Sequence, residues 1–154
     1  MSKPPPVTFA GYVSPAEGKL VQEWYDSLAQ IDRDEILDRV NYLSSMPVTE
    51  WRRPEFDKVT PPLAEIRCKS SQTNHAIRLY GVFDETVRAQ FVILNATEAK
   101  KKDRDQDAQN LAIKRLGLIK SRKASTHDFE FEKGIDRQDS KGQGKPLAPR
   151  LVKR

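Results

Sequence analysis

Two arginines in a predicted hairpin are the residues of this sequence best placed to do chemistry. Residues 64–83 contain two segments that alternate apolar and polar residues, which is typical of paired strands with one buried and one exposed face. Closing the six-residue turn between these segments sets Arg67 opposite Arg78. The same register sets Glu65 opposite Tyr80, and we expect all four side chains on the exposed face.

The facing arginines call for a negative partner, because like charges directly opposite each other destabilise a sheet. A phosphate is the obvious ligand, since a planar guanidinium binds two of its oxygens at once. The alternative needs no ligand: Arg67 and Arg78 would be solvated, or paired with Glu65 and a carboxylate from a helix. The sequence pattern alone leaves both interpretations open.

The other candidates for acid, base or anion-binding chemistry are one lysine, one histidine and a run of lysines: Lys69, His75, Lys100, Lys101 and Lys102. Lys69 shares the predicted face of Arg67. The turn position of His75 is compatible with a merely polar role or with the general-base role that histidine often has near neutral pH. Acidic residues at positions 103, 105 and 107 can neutralise the lysine run.

The cysteine and histidine counts exclude several classes of site. The one cysteine, Cys68, permits neither an internal disulfide nor a thiolate-rich zinc site, and two histidines are too few for a histidine-rich metal centre. Cys68 is expected to pack as a small apolar side chain. We therefore expect neither kind of metal centre, and a reducing cytosolic environment.

The composition of the 154 residues, 37% hydrophobic and 32% charged, is typical of a charge-rich globular protein. The sequence contains neither a run of ~18 apolar residues nor an apolar leader, which predicts a cytoplasmic protein that does not act at a membrane. Of the net charge of +5, residues 121–154 carry +4, from nine basic and five acidic residues. An anion site on the rest of the chain must therefore depend on how individual charged side chains are arranged, because the net charge there is small.

The elements that would position the candidate site begin with a strand over residues 7–13, predicted by alternating apolar positions. Ser14, with Glu17 three residues later, predicts the start of a helix, and Asp32 predicts the start of a second helix by the same capping pattern. The residues expected to be buried are Leu20, Val21, Trp24, Leu28 and Ile31 in the first helix and Ile36, Val40 and Leu43 in the second. Pro47 ends the second helix, so the two form a predicted helical hairpin.

A sheet and a third helix follow. The proline-rich residues 47–62 predict an ordered loop anchored by Trp51 and Phe56. Residues 89–96 are apolar at nearly every position, as expected of a central strand covered on both faces. The third helix should bury one apolar face, formed by Ala108, Leu111, Ala112, Leu116 and Ile119.

Periodicity is lost beyond Ser121, which divides the chain into a domain over residues 1–121 and a basic tail over 122–154. The tail is expected to be flexible on its own or to dock on a partner. Within it, the alternating residues 127–132 are compatible with an edge strand. The fold class predicted from these elements is α+β.

The element order and three motifs resemble the RelE/ParE superfamily of toxins, and most closely its HigB-like, phage-derived branch. Residues 63–67, Leu-Ala-Glu-Ile-Arg, match the branch's Leu-x-Glu-Leu-Arg type of strand ending, and residues 78–83 match its strand of Arg, Tyr and Phe. An apolar strand that leads into lysines 100–102 is the third motif. The resemblance covers about residues 7–120. It implies a RelE-like fold, in which an N-terminal strand and a helical hairpin pack on a small, mainly antiparallel sheet, with a C-terminal helix and a basic tail.

The sequence departs from the family pattern in two places. Asn95–Ala99 replaces the His-Gly-Phe-x-Lys-Lys-Thr pattern that usually follows the apolar strand. The residues after 121 have no counterpart in compact members of the family. Both departures bear on cleavage activity more than on the fold.

The resemblance implies a type II toxin–antitoxin toxin that cleaves mRNA on the translating ribosome, by attack of the RNA 2′-hydroxyl on the adjacent phosphorus. This reaction needs no metal, and we expect no cofactor. Arg67 and Arg78 would then stabilise the phosphate as charge accumulates on it. Glu65, Lys69 or a lysine of the 100–102 run would act as base or acid. Tyr80 would stack on or orient a nucleobase.

The same resemblance implies the partners, which are mRNA, the ribosome with its rRNA, and a cognate antitoxin protein. His75 and Lys100, Lys101 and Lys102 are the expected additional RNA contacts. Two alternatives remain open from the sequence. One is a ParE-like or non-catalytic toxin that acts by binding a protein, and the other is an accessory RNA-binding protein whose basic tail holds phosphates.

Overall fold

The computed structural model describes residues 7–84, 89–99 and 105–131. In these residues the chain forms an α+β fold with three α-helices and an open, mostly antiparallel sheet of six strands. The strands are β1 (Thr8–Val13), β2 (Phe56–Lys58), β3 (Ala64–Lys69), β4 (Ala76–Phe83), β5 (Gln90–Ala99) and β6 (Ser125–Asp128), and the helices are α1 (Leu20–Asp26), α2 (Gln30–Ser44) and α3 (Gln106–Lys120). The predicted α+β class and mainly antiparallel sheet are confirmed.

The strand order in the sheet is β2-β3-β4-β5-β1-β6, so β1 lies between β5 and β6. Its pairing with β5 is parallel, and the other neighbouring pairs are antiparallel. The prediction that β5 is covered on both faces is confirmed. Phe91 and Ile93 pack into the core on one face of the sheet, and Val92 and Leu94 pack into the core on the other.

The first face, which we call the α1/α2 face, is covered by the first two helices. The predicted buried residues of α2, Ile36, Val40 and Leu43, are confirmed. In α1 the buried residues include Val21 and Tyr25, whereas Leu20 and Trp24 lie closer to its edge. Ile31 is 42% exposed, so its predicted burial is wrong. The helix is interrupted between α1 and α2. Ile31 therefore does not lie on the apolar face that it would share with Leu20 and Trp24 in one continuous helix.

The predicted helix start at Ser14 is also wrong. The Ser14 hydroxyl does accept hydrogen bonds from the backbone NH groups of Ala16 and Glu17, but these close a turn rather than open a helix. Two backbone hydrogen bonds join Ser14 and Gly18, and Gly18 has a φ of 80°, which takes the chain out of the helical conformation. The helix therefore begins only at Leu20.

The opposite face, which we call the α3 face, is covered by α3. Ala108 and Ala112 are buried against it, with Leu116 and Ile119 partly buried beside them, as predicted. Leu111 is 38% exposed, so its predicted burial is wrong. The Asp105 carboxylate accepts a hydrogen bond from the Ala108 NH and caps the start of α3.

The proline-rich loop is ordered and anchored by Trp51 and Phe56, both buried, as predicted. It also contains an element that the sequence did not indicate. The short strand β2 pairs with β3, so that Phe56 lies opposite Ile66 and Lys58 opposite Ala64. Three residues are too few for an alternating pattern to be recognised among prolines.

The segment that follows α3 joins the sheet. Residues 125–128 form the edge strand β6 on β1, which is one of the arrangements compatible with the sequence. Phe129 and Phe131 then pack on the α1/α2 face. The described structure thus continues past the predicted boundary at residue 121 as far as Phe131, and residues 132–154 lie outside the described residues. Among the described residues, no helix has the length and apolar character needed to cross a membrane.

Candidate functional site

Arg67 and Arg78 lie directly opposite each other on β3 and β4, so the register predicted from the sequence is confirmed. Glu65 lies opposite Tyr80, again as predicted. By strand alternation these side chains share the α3 face, where Tyr80 is part of the core. The arrangement follows from the turn, because Lys69 pairs with Ala76 next to the turn and fixes every pair beyond it.

A single carboxylate lies between the two guanidinium groups. The Oε2 atom of Glu65 is 3.6 Å from Nε of Arg67, and its Oε1 atom is 3.7 Å from Nε of Arg78. We call these three residues the arginine cluster. Glu65 is thus shared by two cations, and Arg67, the more exposed of the two, can also bind an anion from solvent.

The prediction that these side chains lie on an exposed face is wrong for three of them. Glu65 is 3% exposed, Arg78 2% and Tyr80 fully buried. Only the Arg67 side chain, 36% exposed, reaches solvent from the arginine cluster. A phosphate at the surface can therefore contact Arg67 directly, whereas Arg78 lies beneath it. Lys69 is exposed at the end of the same strand.

The burial of Tyr80 comes from the start of α3. Asn95, which pairs with Tyr80 across β4 and β5, donates a hydrogen bond of 3.0 Å from Nδ2 to the carbonyl of Ala108. Burial raises the pKa of the Tyr80 hydroxyl, the Glu65 carboxylate raises it further, and Arg78 acts in the opposite direction. Tyr80 is therefore positioned as a neutral side chain in the core rather than as a surface platform for a nucleobase.

Arg115 of α3 holds the same region and was missed by the sequence analysis. Its Nη1 atom donates hydrogen bonds to the carbonyl of Leu94, at 3.0 Å, and to Oδ1 of Asn95, at 3.3 Å. Its guanidinium also lies 5.2 Å from the centre of the Tyr12 ring. Burial lowers the pKa of Arg115. One feature of the sequence pointed to such a contact. Asn95 is a polar residue in an otherwise apolar strand, and a buried polar side chain needs a hydrogen-bond partner.

On the α1/α2 face, α2 fixes the end of β3 that carries Arg67 and Lys69. Arg39 donates a hydrogen bond of 2.9 Å to the carbonyl of Arg67. Asp32, which is buried in the first turn of α2 rather than at its cap, accepts a hydrogen bond of 2.6 Å from the Ser70 hydroxyl. The Ser70 oxygen in turn accepts from two backbone NH groups of the β3–β4 turn. The predicted second cap is therefore wrong, because Asp32 serves this turn instead.

His75 is not brought to the arginine cluster. Its Nδ1 atom is 3.5 Å from Oε2 of Glu98, and the Thr73 hydroxyl donates to the same oxygen at 2.6 Å. Glu98 pairs with Ile77, whose side chain belongs to the α1/α2 face. His75 and Glu98 therefore lie on the side of the sheet opposite to Arg78.

The lysine run and Cys68 are the remaining candidates. Lys100, Lys101 and Lys102 lie outside the described residues. Cys68 packs against the α1/α2 core, as predicted, and burial raises the pKa of its thiol to about 12, against a smaller lowering by Arg39. In the described part of the chain, no group of three His, Cys, Asp or Glu side chains is placed to hold a metal ion.

The chain was also compared with known proteins. No protein-family model matches it, and no curated protein matches it with significance.

Proposed function

We propose that the protein is a type II toxin of the RelE/ParE superfamily, of the HigB-like branch, and that it cleaves mRNA on the ribosome. The observation that carries the proposal is the arginine cluster, in which two opposed guanidinium groups share one carboxylate on a sheet face. Apart from the short strand β2 and the edge strand β6, the chain contains one strand, two helices, an antiparallel hairpin, a central strand and a helix, the order on which the resemblance rests, and this order supports the proposal. A phosphodiester would supply an anion for the Arg67 guanidinium, which reaches solvent.

The solvent exposure of each side chain determines its proposed role. Arg67 contacts the scissile phosphate, because it is the member of the cluster that reaches solvent. Glu65 orients Arg67, and Arg78 holds Glu65 from below, so Arg78 is a positioning residue in this scheme. Lys69, exposed on the same strand, lies beside Arg67 and stabilises the phosphate as charge accumulates in the transition state.

In the proposed reaction the 2′-oxygen of the RNA attacks the adjacent phosphorus and the bond from phosphorus to the 5′-oxygen breaks. A base takes the 2′ proton and an acid returns a proton to the leaving 5′-oxygen. The products are a cyclic phosphate on the upstream fragment and a free 5′-hydroxyl on the downstream fragment. A cognate antitoxin is the proposed protein partner, because an uninhibited enzyme of this kind would arrest its own host.

Cell-free translation of one defined mRNA tests this function. The wild-type protein should generate new 5′ ends only when ribosomes translate the message, mapped by primer extension, and the fragments should carry 5′-hydroxyl groups. Arg67→Ala should remove the cleavage, while Arg52→Ala, which changes an exposed arginine of the loop, should not. Intact mRNA in the presence of folded wild-type protein would contradict the proposal.

The burial of Arg78 favours a second candidate, a ParE-like or non-catalytic toxin that acts by binding a protein. A guanidinium that is 2% exposed and paired with Glu65 is typical of a structural ion pair. In that case Arg67 and Lys69 would contact an acidic surface of the partner. Inhibited DNA supercoiling with intact mRNA would support this candidate over the nuclease.

A further inference from the structure

The segment that follows α3 occupies a groove between β1 and α1. β6 pairs with β1 over Ala10–Val13, and the pairing continues where the Phe129 NH donates a hydrogen bond of 3.0 Å to the Phe9 carbonyl. The segment of residues 125–131, which we call the C-terminal strap, therefore extends the sheet along one wall of the groove.

The other wall binds the backbone of the strap through side chains of α1. The Gln22 amide makes two hydrogen bonds with Glu130, donating to its carbonyl and accepting from its NH, each at 2.9 Å. The Tyr25 hydroxyl donates to the carbonyl of Phe131 at 2.6 Å. Gln22 and Tyr25 are themselves 3% and 1% exposed. These buried groups recognise extended backbone in the way a neighbouring strand would.

The groove is also shaped for aromatic side chains. The ring of Phe129 lies 5.6 Å from that of Tyr25, and the ring of Phe131 lies 5.5 Å from that of Phe9. Gly11 makes room for them, because a Cβ atom at this position would lie 2.8 Å from Phe129 and 2.9 Å from the His127 ring. The site therefore fits an extended segment with two phenylalanines separated by one residue.

The strap is tied to α3 by a tight turn. The NH groups of Arg122 and Lys123 donate to the carbonyls of Ile119 and Leu118, which closes the end of the helix. Arg122 adopts a φ of 65°, the left-handed conformation that is unfavourable for a residue with a side chain. The turn thus carries a conformational penalty that an extended connection would remove.

We propose that the groove between β1 and α1 also binds the C-terminal strap of a second copy of this chain, giving a strand-exchanged dimer. The groups that bind the strap belong to β1 and α1, not to the strap or the turn. The strap of a second copy therefore makes the same contacts in this groove. The strap is the edge strand of the sheet, and it leaves its groove without disturbing the β3–β4 hairpin. Only the turn differs between the two states, and its strain favours exchange. This inference does not depend on the proposed function.

A cross-linking experiment on the full chain tests the exchange. Val13 and Ser125 are directly paired between β1 and β6, so one cysteine can be placed at each, in a Cys68→Ala background. Two single variants, Val13→Cys and Ser125→Cys, carry different tags and are mixed at high concentration before oxidation. A disulfide between the two tagged chains at a yield above that of random collision indicates that the strap of one copy lies in the groove of the other. Val13→Cys mixed with Arg52→Cys is the matched control for random collision.

The expected result is a heterodimer from the Val13→Cys and Ser125→Cys pair, with yield that rises with protein concentration and exceeds the control. Adding Arg122→Gly to both chains should lower the yield roughly fivefold for each turn that opens, the factor that about 1 kcal/mol of relieved strain gives. The double variant Val13→Cys/Ser125→Cys should cross-link within one chain at low concentration, which verifies that the two positions can bond. A double variant that cross-links within the chain, together with a mixture that never exceeds the control, would overturn the proposal.

Discussion

Arg67 and Arg78 face each other across two strands, and the same carboxylate, that of Glu65, is within 3.7 Å of the Nε atom of each. The two arginines differ in exposure, since Arg67 reaches solvent and Arg78 does not. Their contributions should therefore separate experimentally, with Arg67 acting mainly in function and Arg78 mainly in stability.

The first prediction concerns Glu65. Glu65→Gln should lower the free energy of unfolding by about 3 kcal/mol, because it removes the negative charge next to a buried guanidinium. Arg67→Ala should lower it by less than about 1 kcal/mol, since a half-exposed ion pair contributes little. Urea unfolding followed by circular dichroism measures both. Equal losses in the two variants would contradict the asymmetry.

The second prediction concerns activity. Arg67→Ala should reduce the rate of mRNA cleavage by ~10² to 10³, the effect of removing one group that stabilises a developing oxyanion. Arg67→Lys should recover only part of this rate, because an ammonium group cannot bind two phosphate oxygens in the planar geometry of a guanidinium. The measurement is the initial rate of fragment formation, on protein whose unfolding curve shows that it is folded. Full activity in folded Arg67→Ala would exclude the assigned role.

A third prediction compares two glycines. A Cβ atom at Gly81 would lie 2.2 Å from the Val92 carbonyl oxygen, at the irregularity between β4 and β5, so Gly81→Ala should destabilise by about 1–3 kcal/mol or more. Gly117 lies in α3 with open space around it, so Gly117→Ala should stabilise by about 0.5–1 kcal/mol. Thermal unfolding of both variants checks the signs. A neutral Gly81→Ala would mean that the strands separate there at little cost.

The fourth prediction is a pH dependence. The pKa of Cys68 is raised from 9.0 to about 12, chiefly by burial, so the unfolded chain loses this proton first as the pH rises. The free energy of unfolding should be insensitive to this group below about pH 9 and fall above it. The raised pKa of Tyr80 acts in the same direction. Cys68→Ala should give a shallower decline in alkaline urea titrations, and an unchanged slope would contradict the assignment.

The same shift predicts the reactivity of Cys68. At a pH below 9, its thiolate fraction in the folded protein should be about a thousandfold lower than in the unfolded chain. Alkylation by iodoacetamide should be correspondingly slow until urea is added.

The hairpin that carries the arginine cluster could be predicted from the sequence in detail. Two alternating segments and a short turn leave a single register that puts both apolar faces together, and that register is the one observed. The burial of Arg78 and Tyr80 could not be predicted in this way. Alternating charged residues are typical of a solvated face, and the helix that covers Tyr80 begins far along the chain, after β5.

The errors in the helices have a similar cause. Ser14 and Asp32 both have the residue type of a helix cap and both accept hydrogen bonds. Ser14 closes its own local turn, whereas Asp32 accepts from the distant Ser70 at the β3–β4 turn. Local sequence identifies the hydrogen-bonding capacity of such a side chain, and the tertiary structure decides which NH or OH group meets it. Asn95 and Arg115, which fix α3 on the sheet, depend on a contact between distant segments and had no local signal beyond a polar residue in an apolar strand.

The position of β1 between β5 and β6 affects how the protein is made. During synthesis the first strand leaves the ribosome without either of its neighbours, because β5 is translated after the β3–β4 hairpin and β6 only after α3. At roughly 5–20 residues per second, the nascent chain waits for several seconds with the inner side of α1 uncovered. Pairing between such distant segments also slows the final folding step. Val21 and Tyr25 are among the apolar side chains of α1 that stay without their final cover during this interval.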